Sequence, residues 1–364
     1  MSFETDSFNS RDMAVQKGLS LVELLVALAL SAILILGIFT VYMDSSQTSR
    51  LSTSLARIQE SARIGVDILA RDLRMVGFQG CADPDDVTMN VIADNPPTND
   101  FFSTTLRVWE VTGANWADGT EFDGLSIEAN ARVGSDVIAI QRGEMANVDI
   151  TGNMDNTNAN IQVGGAEVNQ FSQNDMVLIS DCESADLFRI SSKPSSDTWA
   201  HASNVNSGNN LSQAYNENAR VMRFSSTIYY VADTGRDDSL GNDIYALYRA
   251  RDNLLNSATP DFQIDELVEG VESLQAELGE KLPSNSFRYA TADDASLDLT
   301  RVVAARIGLL VSDTERVRND NDQASYDLPG ELITAASGAG AVKHPEDRRL
   351  RRSFIATVTL RNRD

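Results

Sequence analysis

The chain has 364 residues, 42% of them hydrophobic, and a formal net charge of −23. That length accommodates one large domain or two small ones with a core of their own. The acidity weighs against nucleic acid or an anionic membrane surface as a partner. With two cysteines, two histidines and no Cys-x-x-Cys spacing, the chain does not support a structural zinc site.

Residues 1–18 form a polar leader. Its first twelve residues carry Glu4, Asp6 and Asp12 against Arg11, and the stretch MAVQKG (13–18) carries Lys17 alone. Met13 is an alternative start, which leaves a short basic leader of the kind cytoplasmic flanks favour.

The most informative stretch follows, GLSLVELLVALALSAILILGIFTVYM (18–43). Leu19 to Met43 is an apolar run of 25 residues, and a helix needs about 20 to cross a bilayer. It is too long for the core of a cleaved secretory signal, which runs to about 15 residues and lacks an acid. An ordinary single-span anchor fits the length but accounts for neither Glu23 nor the Gly18–Leu19 junction. A carboxylate near the end of such a run costs about 2–3 kcal/mol or less and marks a site with a partner. A cut after Gly18 creates an amine on Leu19, four residues from Glu23. The amine of a neighbouring copy then neutralises the acid in a bundle of such helices.

The helix is expected to run on to about Val76. Leu51, Leu55, Ile58, Ala62, Val66, Leu69, Leu73 and Val76 recur at steps of three and four. Residues 44–77 therefore form an amphipathic half behind a transmembrane half, 19–43, apolar all round. A helix over 19–76 is roughly 87 Å long. Gly77, Gly80 and Pro84 end it.

Residues 78–220 read as a loop-rich region with short strands at 106–111, 136–142, 175–180 and 186–192. Residues 221–364 carry tighter patterns. Strands are expected at 221–233 and 244–250, joined by a turn, and at 300–313 and 351–363, with IDELVEGVESLQAEL (264–278) between. These strands beside a one-striped helix give an α+β fold: a long N-terminal helix on an antiparallel sheet, with a large loop-rich insertion. The last residues, 343–364, are net +4, which suits a basic strand among acidic neighbours or a docking surface.

Cys81 and Cys182 oxidise if the body lies outside the cytoplasm. The closed loop then contributes about 4–5 kcal/mol at most in the chain-entropy model; two buried free thiols are the alternative. No nucleophile elbow, phosphate loop or metal-spaced histidines are present, so an enzyme is not expected, nor is a cofactor. Asp233, Asp237, Asp238 and Asp243, or Asp313, Asp320 and Asp322, group carboxylates without the calcium-loop spacing, so no metal is assigned.

Gly18, Leu19, Ser20, Leu21, Val22 and Glu23 resemble the cleavage and methylation signal of type IV prepilins. RDLRMVGFQGC (71–81), IYYVAD, ALYRARDN, LVEGVESLQAELG (267–279), RVVAARIGLLV (301–311) and LRRSFIATVTLRNR (350–363) resemble the PilW family of type IV pilus minor pilins. The long acidic pre-leader departs from that family's short basic one, and residues 90–215 are covered weakly. The resemblance implies a single-pass inner-membrane precursor with a periplasmic head. It implies cleavage by prepilin peptidase between Gly18 and Leu19, N-methylation of Leu19, and Glu23 as the assembly residue. Its implied partners are other minor and major pilins and the inner-membrane assembly platform, in an initiating or tip complex of the fibre. Two other readings share these features: a minor pseudopilin of type II secretion, and an adhesin or ligand-binding head in which Trp109, Trp116 and Trp199 stack on a sugar.

Overall fold

The structure, a computed structural model, describes residues 20–82, 87, 89–95, 105–113, 116, 126–152, 154–252 and 262–362. The chain divides into two units, Met1–Ser52 and Thr53–Asp364. Helix α1, Leu21–Leu73, begins in the first and ends in the second. Its sequence has no proline and is rich in Leu and Ala, the strongest helix formers.

In the first unit the helix is apolar and exposed on every side, from Leu21 at 75% to Met43 at 51%. It is long and apolar enough to cross a membrane. The Thr40 hydroxyl in its last apolar turns is satisfied locally, Oγ1 donating to the Gly37 carbonyl at 2.8 Å. In the second unit the burial becomes one-sided: Ser54, Ile58, Ala62, Gly65, Leu69 and Leu73 are buried at helical spacing.

The strands follow in chain order. β1 (Asn90–Val91), β2 (Leu106–Glu110) and β3 (Asp136–Met145) precede two short ones, β4 (Asp149–Ile150) and β5 (Asn160–Gly164). Then come β6 (Met176–Ser180), β7 (Ala185–Arg189), β8 (Ser192–Ser195) and β9 (Thr198–Ala200). The long β10 (Arg220–Asp237) turns into β11 (Asp243–Asp252), followed by β12 (Phe262–Glu269), β13 (Val271–Lys281), β14 (Phe287–Ala290) and β15 (Val302–Arg316). A small group, β16 (Tyr326–Leu328), β17 (Glu331–Ala335) and β18 (Lys343–His344), leads to β19 (Arg349–Thr359).

These strands do not form one antiparallel sheet. An eight-stranded sheet is ordered β1-β7-β6-β10-β11-β12, with β2 and β3 attached through β10. A four-stranded sheet is ordered β14-β13-β15-β19. β10 is the hub: it pairs with β3, β6 and β11, and so joins strands from before and after residue 220. Two pairings, β1 with β7 and β17 with β18, are parallel.

The two large sheets are linked at Gly270, inside what the sequence pattern presents as one continuous run. β12 pairs with β11 before it, and β13 pairs with β15 after it. Gly270 has φ +86°, and an added Cβ would lie 2.3 Å from the Ser312 carbonyl oxygen. Only glycine makes this crossing without strain.

The principal core lies where α1 meets both sheets. Ile58, Leu69 and Leu73 pack there with Tyr229, Leu247, Leu274, Leu309 and Val358. Each buried Leu or Ile contributes about 1.5–3 kcal/mol relative to exposure. A second core, around Trp199, Phe171 and Phe188, fills the space by the small sheet β4-β5-β9-β8.

Candidate functional site

α1 starts with a reciprocal pair. Ser20 Oγ accepts from the Glu23 backbone N–H at 3.2 Å, and Glu23 Oε2 accepts from the Ser20 N–H at 2.9 Å. The Leu24 N–H donates to the Ser20 carbonyl at 3.1 Å, the first intrahelical bond. This is the capping box, in which Ser-x-x-Glu satisfies two amides that a helix start otherwise leaves unpaired. The carboxylate also sits at the positive end of the helix dipole. Glu23 is exposed, so this arrangement can exchange for an external amine. Gly18 and Leu19 lie outside the described residues.

The exit of α1 is held at three points. Arg142 Nη1 donates to Asp72 Oδ1 at 2.7 Å, and the Tyr229 hydroxyl donates to Asp72 Oδ2. Burial, and then the Asp72 charge, push the Tyr229 hydroxyl well above its ordinary value, so it stays a donor. Gly77 takes a left-handed conformation, φ +69°, and its N–H donates to the Gln141 carbonyl at 2.9 Å. Beyond it, Cys81 is bonded to Cys182 across a Cα–Cα distance of 4.8 Å. The bridge ties the helix exit to the turn between β6 and β7 and closes a loop of 101 residues. RDLRMVGFQGC thus works as one anchoring device: an acid for Arg142, an apolar plug at Val76, a turn glycine and a covalent tie.

The C-terminal strand is locked by buried charge. Arg351 donates through Nε to Glu272 Oε2 at 2.8 Å and through Nη2 to Glu272 Oε1 at 3.0 Å. It also reaches Asp347 at 2.7 Å, and Asp347 lies 3.6 Å from Arg349. Arg349 reaches Asp238 at 3.0 Å, in the turn between β10 and β11. The Arg351 guanidinium holds the Glu272 carboxyl down at about 2, although burial opposes this. The basic character of residues 343–364 is therefore partly consumed inside the fold.

The three tryptophans are in the cores. Trp109 and Trp116 are 7% exposed and meet edge to face at 5.9 Å. Arg107 lies over the Trp109 ring at 4.6 Å, and Trp199 is 1% exposed against Phe171. Of the aspartates grouped in sequence, Asp238 takes Arg316 and Arg349, while Asp322 takes Arg318, Arg351 and the Tyr326 hydroxyl. Among the described residues no group of three or more His, Cys, Asp or Glu is placed to hold a metal ion.

Sequence reasoning singled out Glu23 and the cysteines but missed Ser20, Asp72 and the Glu272–Arg351 bridge. The first had a legible signal, the Ser-x-x-Glu spacing. The others are tertiary pairings.

Comparison with known families locates two matches. Residues 13–39 match the model of the prokaryotic N-terminal methylation motif, and residues 228–362 match that of type IV pilus-assembly protein W, PilW. The second match runs from β10 to just beyond β19 and contains Gly270, Glu272 and Arg351. No curated protein and no solved structure matches the chain.

Proposed function

Because this chain belongs to the PilW family of type IV pilus proteins, we propose that it is a minor pilin, made as a membrane-anchored precursor and assembled into the fibre. In this reading prepilin peptidase cuts between Gly18 and Leu19, the new N-terminus is methylated, and the head stays on the periplasmic side of the inner membrane until extraction. The assembly platform and the other pilins are its partners, in an initiating or tip complex.

One observation carries the reading: an acid sits in the first turn of a helix that is otherwise apolar and exposed all round from Leu21 to Met43. Such a surface suits lipid first and the packed core of a fibre later. Near the membrane edge Glu23 is satisfied by Ser20. Among neighbouring helices an unpaired carboxylate costs several kcal/mol, and an amine on the adjacent subunit relieves it.

The test is the ratio of the chain in sheared fibres to that in the inner membrane. Glu23→Ala is expected to be cleaved and inserted normally yet to enter fibres poorly, and Glu23→Asp to be intermediate. A Glu23→Ala ratio equal to wild type refutes the assembly role.

A further inference from the structure

The outer strand of a sheet carries unpaired main-chain groups, and proteins blunt it with shortness, charge, proline or a bulge. Most outer strands of this chain are blunted. β1, β4, β16 and β18 have two or three residues each. β2 and β14 have five and four and carry charge, and β8 has four with Lys193 and Pro194 among them. β12 is longer, with eight, but holds Asp265, Glu266 and Glu269.

β19 is the exception. It has 11 residues and pairs with β15 alone among the described residues. Its stretch SFIATVT (353–359) has no charge, proline or glycine and is rich in the residues that favour strands. The Leu360 N–H donates to the Val303 carbonyl at 2.8 Å, and the register runs without a bulge from Ala304–Thr359 to Ser312–Arg351. Bonded positions alternate along an antiparallel pair. Phe354, Ala356 and Val358 therefore turn their main-chain groups to β15, while Ser353, Ile355, Thr357 and Thr359 turn theirs outward. Ile355 is 53% exposed on one face of this edge, and Phe354 is half-buried on the other.

Cations frame the stretch. Arg352 stands directly before it and Arg361 two residues past the end of β19; both are exposed, and neither has an ion pair among the described residues. This frame decides what can pair here. Two copies of β19 laid along the stretch would bring Arg352 beside the Arg361 of the second copy, or beside its Arg352 if the strands ran parallel. Like charges placed opposite each other are destabilising. A strand with carboxylates at both ends meets attraction where a second copy meets repulsion.

We infer that the edge of β19 from Ser353 to Thr359 takes one added strand from a different pilin subunit, an extended uncharged segment with a carboxylate near each end. Main-chain bonds hold an added strand whatever its side chains, so the two arginines choose the partner. They also set its length: the carboxylates lie about 30 Å apart, the span of nine residues at roughly 3.3 Å each. The inference rests on the reading of the chain as a pilin assembled with others, and adds the surface of the head that a neighbour meets.

In the experiment Ile355 is replaced by a photo-reactive benzophenone amino acid in the full chain, in cells that make the pilus, and cross-linked peptides are read by mass spectrometry. The expected product joins position 355 to an uncharged segment of another prepilin, with acids on both sides of that segment. Adding Thr357→Pro removes an outward N–H and sets a ring in the path of the added strand, while every bond to β15 stays in place. The yield is expected to fall about tenfold, and Thr357→Ala should leave it unchanged. Arg352→Glu/Arg361→Glu alters no main-chain group and should lower the yield as far; changing the acids of the captured segment to lysine should restore it. An intact Cys81–Cys182 bridge and unchanged protease resistance check that each variant is folded. A product with a second copy of this chain, the absence of any product, or a yield that survives either Thr357→Pro or the arginine reversal would overturn the inference. Presence in sheared fibres is read in parallel, so a chain that reaches the fibre without a product at position 355 sinks this inference and leaves the pilin reading standing.

Discussion

Glu272 and Arg351 form a two-point bridge in the interior of the head, at 2.8 and 3.0 Å, with side chains 1% and 0% exposed. They belong to two separate segments of the family-matched region, the crossing strand GVESL and the closing strand LRRSF. The bridge fastens β13 to β19 across the intervening β15. It explains why an acid and an arginine are found on strands that are otherwise packed with apolar residues.

Removing one partner leaves a charge buried and unpaired, which costs about 3–5 kcal/mol. Arg351→Met is expected to lose that much in urea unfolding of the full chain in micelles. Arg351→Lys should recover only part of it, because an ammonium cannot make the two-point bridge. Equal stability of Arg351→Lys and wild type would show that the fork geometry is unimportant.

Three groups predict how stability depends on pH. Glu272 is held at about 2, below its ordinary 4.5, so its contribution is present above pH 4.5 and is lost as pH falls through 2. His201, 0% exposed, is pushed by burial to about 4; its burial costs stability as pH falls from 6.5 to 4. Asp136, pushed up to about 8 chiefly by burial, acts in the other direction, so stability falls as pH rises from 3.8 to 8. The urea midpoint should therefore peak in the mildly acidic range, and Asp136→Asn should flatten the fall on the alkaline side. An unchanged alkaline fall in that variant refutes the assignment.

At Gly65, α1 packs closely against the sheets. A Cβ there would lie 2.9 Å from Leu309 Cδ1 and 3.7 Å from Leu247 Cδ2. Gly65→Ala gains about 1 kcal/mol in helix propensity and asks only a methyl end to move, so it should be near neutral. Gly65→Leu overpacks the same space and is expected to cost about 1–3 kcal/mol. Thermal unfolding of the two variants checks the difference, and equal melting would contradict the close approach.

Much of α1 was legible because its signals are local. The 25-residue apolar run and the later stripe at steps of three and four need no tertiary information. The sheets were less so. Residues 264–278 read as one run, yet Gly270 sends its halves into different sheets, because a left-handed glycine next to the Ser312 carbonyl leaves no mark on the alternation around it. Nor does the sequence show that Glu272 finds Arg351 across 79 residues. Ser20 shows the opposite case: its spacing to Glu23 states the cap outright, but the acid draws attention to an external amine and away from the serine three residues before it.

The N-terminus of the chain that reaches the fibre distinguishes a processed pilus subunit from an uncut membrane anchor. Fibres sheared from cells and digested should yield a first peptide that begins at Leu19 and carries one added methyl on its amine. Gly18→Val, which places a side chain where the peptidase meets the backbone, should leave the leader attached and the chain in the inner membrane. A chain that keeps residues 13–18 in the wild type, or that is absent from fibres although cleaved, would contradict the claim that it is a processed subunit of the pilus.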